Sequence, residues 1–183
     1  MIYFFTCNFS WKEVFILRVN INFLTRTALF LALTLALQGF RLPPFLTGPS
    51  VNFLLALATL WVGIASGVII GLLTPWAALL LGILPAPLAP GIPFIMIGNA
   101  FYTFFIGFLY HYIPTRAGQI AGVAAGATAK FIIIAGAASY ILTLPSPLTG
   151  VLLLPQFYNA LIGGLLAVVF ISVSEPLKLK GPA

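Results

Sequence analysis

Acidic side chains are nearly missing from this chain of 183 residues: Glu13 and Glu175 are the only two, and both lie near its ends. Cys7 is the only cysteine and His111 the only histidine. A single cysteine excludes an intrachain disulfide and a cysteine-based metal cluster. Paired carboxylates, a Ser-His-Asp triad, a His-Glu zinc site and a phosphate-gripping Gly-Lys loop all need groups that this sequence does not supply. The chain is therefore expected not to be an enzyme, and to need no metal or other cofactor. Charge of either sign is scarce as well. Charged residues make up 5% of the chain, against about 25% in soluble domains, so a globule of this length has too little polar surface to be solvated.

What is abundant is apolar surface. Hydrophobic residues account for 62% of the chain, and the mean hydropathy is +1.18. The expected class is an all-α integral membrane protein lying in the lipid bilayer. The net charge of +6 does not point to nucleic acid, because the eight basic residues are scattered rather than gathered into a stripe with aromatics.

Proline and glycine divide the apolar sequence into spans. The first is predicted over about 24–40, followed by Arg41-Leu42-Pro43-Pro44-Phe45-Leu46-Thr47-Gly48-Pro49-Ser50, whose prolines and glycine are read as a loop. No charged residue occurs between Arg41 and Arg116. The stretch 51–84 is too long for one crossing of a ~30 Å hydrocarbon core. A turn is therefore expected at Gly63-Ile64-Ala65-Ser66-Gly67, which gives spans over about 51–62 and 65–84, the second kinked at Pro75. Further spans are predicted over about 93–112, 119–142 and 151–173, separated by Pro114-Thr115-Arg116 and by a loop over 144–150. Residues 1–21 are read as an N-terminal extension, either interfacial or upstream of the true start. Residues 22–174 form the six-helix membrane domain and 175–183 a cytoplasmic tail.

Basic residues set the expected orientation, because short cytoplasmic segments are enriched in them. Six transmembrane helices with cytoplasmic N- and C-termini place Lys12, Arg18, Arg26, Arg116, Lys178 and Lys180 inside, Arg41 outside and Lys130 within the membrane. Five spans would move Arg116, Lys178 and Lys180 outside and lose the bias.

With six spans, the three proline-rich connections at 41–50, 85–92 and 144–150 face outward, and intramembrane polar residues gather on the same side. Asn52 opens the second span, Asn99 and Tyr102 lie two to three turns into the fourth, and Gln156 and Asn159 take an equivalent depth in the sixth. Lys130 sits near the middle of the fifth. Polar groups at such depth face a partner or a wet cavity. An outward-facing cavity is expected, roofed by the connections and walled by the last three spans. Interhelical hydrogen bonding is the alternative for Asn99, Gln156 and Asn159. Lys130 has no acid at membrane depth, so it is neutral, or it caps backbone carbonyls, or it meets an anion from outside; the last predicts a carboxylate or phosphate on the ligand. Arg41 is a candidate second positive contact. Tyr140 and Tyr158 are candidates for the mouth, whereas His111, Trp61, Trp76, Tyr110 and Tyr112 suit interface anchoring.

In the first span Ala28, Ala32 and Ala36 recur every fourth residue and so stack along one side of a helix. In lipid, such a strip lets another helix approach to backbone distance. The same spacing is compatible with a helix that faces lipid alone. The fifth span is dense in small residues, among them Gly122, Ala125, Gly126 and Ala129.

Together these features resemble the S component of energy-coupling factor (ECF) transporters, the small substrate-binding membrane subunits of vitamin importers. The likeness covers roughly 22–174. It rests on the six short spans, the alanine repeat and Gly48-Pro49-Ser50-Val51-Asn52. It rests also on the turn at 63–67 running into Gly71-Leu72-Leu73-Thr74-Pro75, and on Ile92-Pro93-Phe94 with Gly98-Asn99. The resemblance implies a prokaryotic plasma-membrane protein in which Ala28, Ala32 and Ala36 dock on a transmembrane coupling subunit served by two ATPases. It implies that 41–50 gates the substrate, and that the activity is binding and reorientation rather than catalysis. The substrate residues Lys130, Asn99, Asn159, Gln156, Tyr102, Asn52 and Arg41 are assigned from depth and polarity, not from the resemblance. Lys130 and Arg41 favour an anionic vitamin such as pantothenate, folate or niacin. A self-contained secondary transporter or channel is the alternative, weakened by the lack of an intramembrane acid for ion coupling.

Overall fold

The computed structural model describes residues 21–143 and 146–174. The readings of the N-terminal extension, of the C-terminal tail and of Lys12, Arg18, Lys178 and Lys180 lie outside the described residues. Among those described there are helices and no strand. They are α1 (Ile21–Gly39), α2 (Pro44–Trp61), α3 (Ile64–Leu80), a 3-10 helix (Ala86–Gly91), α4 (Ile92–Tyr112), α5 (Arg116–Tyr140), the short α6 (Ser146–Leu152) and α7 (Leu154–Ser174). Five helical stretches are long and apolar enough to cross a membrane, and α3, at 17 residues, is a shorter apolar sixth. This is a multi-pass membrane protein.

Short connections make successive long helices antiparallel. The turns at 62–63 and 113–115 therefore share one end of the bundle with the start of α1 and the end of α7. At that end Arg116 donates from Nη2 to the Ser172 carbonyl at 3.4 Å. Gly63 makes the first of these turns at φ +129°, a backbone conformation that side-chain-bearing residues rarely adopt. The connections 40–43, 81–91 and 141–153 occupy the opposite end.

Each of the three segments expected to be loops contains helix, and the first differs most. Residues 44–50 are the first two turns of α2, which starts at Pro44 and not at Val51. Pro44 stands near the helix start, where a missing N–H costs nothing. Pro49, inside the helix, removes only the bond to the carbonyl of Phe45, which lies at the exposed end where water or headgroups serve it. Thr47 Oγ1 takes the Leu42 carbonyl (2.8 Å) and Ser50 Oγ the Leu46 carbonyl (2.8 Å), which ties these turns together. The second expected loop contains the 3-10 helix, and the third contains α6.

Packing is tightest around α5. A Cβ on Gly126 would come within 2.6 Å of the Tyr102 carbonyl oxygen, so α5 meets α4 at backbone distance there. By contrast α1 buries only Thr27, Phe30 and Thr34. Thr27 Oγ1 donates to Ser66 Oγ of α3 at 2.9 Å, and Phe30 packs edge-on against Trp61 with ring centroids 6.4 Å apart. Trp61 also meets Phe170 of α7 at 5.6 Å, so it belongs to an aromatic cluster as well as being part-exposed. The main hydrophobic core runs through α2, α4, α5 and α7.

Candidate substrate-binding cavity

At the end that carries the longer connections, a cavity of about 570 Å³ opens between α1, α2, α3, α4, α5 and α7. Its walls are mostly apolar, with a few polar side chains converging from different helices. The deepest of these is Lys130, ten residues below the Tyr140 end of α5, or about 15 Å along the helix. Lys130 is 3% exposed. Its Nζ donates to Asn52 Oδ1 of α2 at 2.7 Å and lies 5.6 Å from the centroid of the Tyr102 ring, within cation–π range. Asn52 in turn donates from Nδ2 to the carbonyl of Gly48 at 2.8 Å. The Lys130 Nζ is thus held by a neutral amide, and both acids of the sequence lie outside the described residues.

Asn99 of α4 reaches the cavity by a different route. Pro75 has no N–H, so the carbonyl of Gly71, four residues earlier in α3, loses its helical donor. Asn99 Nδ2 fills that place at 3.2 Å. Gly71 makes the approach possible, since a Cβ there would lie 3.0 Å from the Asn99 Cβ. Because a carbonyl only accepts, the amide's orientation is set by chemistry: nitrogen toward α3, oxygen away from it.

Lys130, Asn52, Asn99, Gln156, Asn159 and Arg41 all line this one cavity. Asn159 lies against Gly48, where an added Cβ would collide with its amide. Gln156 donates from Nε2 to the Val151 carbonyl at 3.3 Å, which steadies the junction of α6 and α7. Arg41 sits exposed at the mouth with φ +50°, an uncommon left-handed backbone for a non-glycine residue. Tyr102 is not among the lining residues. It is fully buried, and its hydroxyl donates to the Ala160 carbonyl at 2.9 Å, so it supports Lys130 from beneath the cavity. Tyr140 and Tyr158 are exposed and off the cavity.

Two further lining residues, Gln38 and Thr74, do not stand out in the sequence. Gln38 ends an apolar helix, and Thr74 is one of many threonines in the spans; Thr27, Thr34 and Thr59 have the same composition signal and no part in the cavity. Structure separates them. Among the described residues, the buried side-chain atoms without a hydrogen-bond partner are Gln38 Oε1, Thr74 Oγ1 and Asn99 Oδ1, and all three residues line this cavity. An unpaired buried polar atom costs about 1–3 kcal/mol, and all three such atoms belong to residues of this one cavity.

The other predicted functional feature lies outside the cavity. Ala28, Ala32 and Ala36 are all exposed, on the flank of α1 opposite to Thr27, Phe30 and Thr34.

A family model described as ECF transporter, substrate-specific component, matches residues 22–174. No curated protein and no solved structure matches the chain. The match begins one residue into α1 and ends on the last residue of α7, taking in every helix that forms the cavity. The chain belongs to the family of ECF transporter substrate-specific components.

Proposed function

We propose that this chain is the capture subunit of an ECF-type importer in a prokaryotic plasma membrane. It takes a vitamin or related micronutrient bearing a carboxylate or phosphate from outside. It delivers that molecule inward while docked on a transmembrane coupling subunit driven by two ATPases. Family membership carries the general part of this, a partnership with the other components of an ECF transporter and a small-molecule substrate. The single observation that carries the anionic part is Lys130: an ammonium at membrane depth, in a cavity, held only by an amide oxygen and an aromatic face. A charge in that position is expensive and is retained where an opposite charge joins it.

The remaining residues take roles around it. Asn52 positions Lys130, while Asn159, Gln156 and Asn99 offer amides to the rest of the substrate and Arg41 stands at the entrance. Tyr102 acts through Lys130 and not by touching the substrate. Residues 41–50, as three connecting residues followed by the first turns of α2, cover the site and gate it. The orientation follows from charge: Arg26 and Arg116 belong to the end opposite the mouth, which makes that end cytoplasmic, with both termini of the 22–174 domain there. The exposed alanine flank of α1 is the surface that meets the coupling subunit, where small side chains permit close helix approach.

The test is titration of the purified protein with pantothenate, folate and nicotinate. Lys130→Ala is expected to weaken binding of each acid that the wild type takes up by at least about tenfold, the scale of one charge-assisted hydrogen bond. Wild-type affinity in that variant overturns the anionic assignment.

A further inference from the structure

We infer that the substrate carries, besides its anionic group, an N–H or O–H donor that is received by Asn99 Oδ1. This rests on the reading of the cavity as the substrate site, and it concerns a different wall from the one that holds Lys130. Pro75 leaves the Gly71 carbonyl without its helical N–H, and Asn99 Nδ2 satisfies that carbonyl at 3.2 Å. The amide nitrogen is committed, so the group that Asn99 has left to offer is an oxygen, which accepts and never donates. That oxygen has no partner, although Asn99 is only 3% exposed. Beside it in the same lining are two more unpartnered oxygens, Thr74 Oγ1, in a residue 1% exposed, and Gln38 Oε1.

The cavity is therefore asymmetric. Lys130 and Arg41 bring positive charge from α5 and the mouth, while α4 brings in Asn99 an oxygen that can only accept; the Thr74 hydroxyl and the Gln38 amide can each give or take a hydrogen. A carboxylate or phosphate placed against Asn99 Oδ1 would set two acceptors face to face. An acid with no other polar hydrogen would bury Asn99 Oδ1 unsatisfied. An acid with an amide, amine or hydroxyl group at its far end satisfies both walls at once. Asn99 is thus a specificity-determining residue: it selects, among small acids, those that bear a donor.

The experiment separates this role from the structural one that Asn99 also has toward Gly71. Pro75→Ala returns an N–H to the position that donates to the Gly71 carbonyl, so in the double variant Asn99→Ala/Pro75→Ala the helix needs no help from residue 99. The probes are pantothenate and folate, which carry N–H or O–H donors, and nicotinate, which at neutral pH carries none; binding is read by calorimetry on the purified full chain, with thermal unfolding as a check of folding. Wild type is expected to bind a donor-bearing acid at least about tenfold tighter than nicotinate, and the double variant to narrow that preference to within about threefold. A wild type that binds nicotinate as tightly as the others overturns the inference. So does a double variant that keeps the full preference, since Asn99 then serves Gly71 alone. Lys130→Ala distinguishes the two readings: unchanged affinities there, with donor preference intact, overturn the anionic assignment and leave the role of Asn99 standing. Failure of all three acids to bind overturns both.

Discussion

In the proposed function Lys130 is the residue that meets the substrate's anionic group, and Asn52 is the residue that holds its Nζ in place. A lysine in the middle of a helix that crosses lipid has only a few acceptors within reach, and here the amide oxygen of Asn52 is 2.7 Å away. Asn52 is in turn fixed through the Gly48 carbonyl. Replacing Asn52 with leucine leaves Lys130 without that acceptor, and the loss of a hydrogen bond to a charged group is worth about 1.5–3 kcal/mol. The Asn52→Leu variant is therefore expected to show lower thermal stability in the absence of ligand; a transition at the wild-type temperature would mean that the pair contributes nothing.

How far such residues are legible depends on contrast. Lys130, Asn52, Asn99, Gln156 and Asn159 are conspicuous because a polar side chain in an apolar helix needs a reason. Tyr102 is conspicuous too, but its hydroxyl finds that reason in the Ala160 carbonyl, a contact 58 positions away that no local pattern records. Thr74 and Gln38 give no contrast, since threonine can satisfy itself on its own helix, as Thr34 and Thr59 do. Only the absence of a partner in the fold singles them out.

Among the helices, α1 is the most weakly held and the most exposed. Three residues anchor it, and its alanine flank is exposed among the described residues. Ala32→Trp is expected to leave substrate affinity within about twofold of wild type, the usual scale of a surface change, while abolishing uptake in cells that supply the coupling module. Uptake at the wild-type rate would show that α1 does not dock by this flank. α5 behaves in the opposite way. Gly126→Val puts side-chain atoms where the Tyr102 carbonyl stands, and overpacking of this kind costs about 1–3 kcal/mol or more. A marked drop in the unfolding temperature is the expected result, against none for a valine at half-buried Gly136, where nothing lies within 4 Å of an added Cβ.

Six apolar helices and the turn at Gly63 follow from length and glycine placement; the structure has the turn, five helices long enough to cross a membrane and the shorter α3. The start of α2 does not follow in the same way. Pro-Pro and Gly-Pro read as breakers, yet Pro44 falls where proline suits a helix and Thr47 and Ser50 bind carbonyls around Pro49. Proline's position within the helix, not its presence, decides between loop and helix.

Considered whole, the described part of the molecule is an apolar bundle with a cavity at one end, into which a few polar side chains converge, and a bare small-residue flank on its side. Nothing in the 22–174 domain resembles a motor: its charged side chains at 26, 41, 116 and 130 are all basic, and the sequence has no nucleotide-gripping loop. Carriers that work alone commonly couple to protons through acids within the membrane, and residues 22–174 hold no acid. In the proposed function, energy input comes from other subunits. This is tested most directly by reconstituting the purified chain into vesicles, with and without an ATP-loaded ECF coupling module, and following whichever of radiolabelled pantothenate or folate it binds more tightly. The chain alone is expected to bind the label without accumulating it, and accumulation is expected only with the module and ATP. Steady uptake by the chain alone would contradict the account.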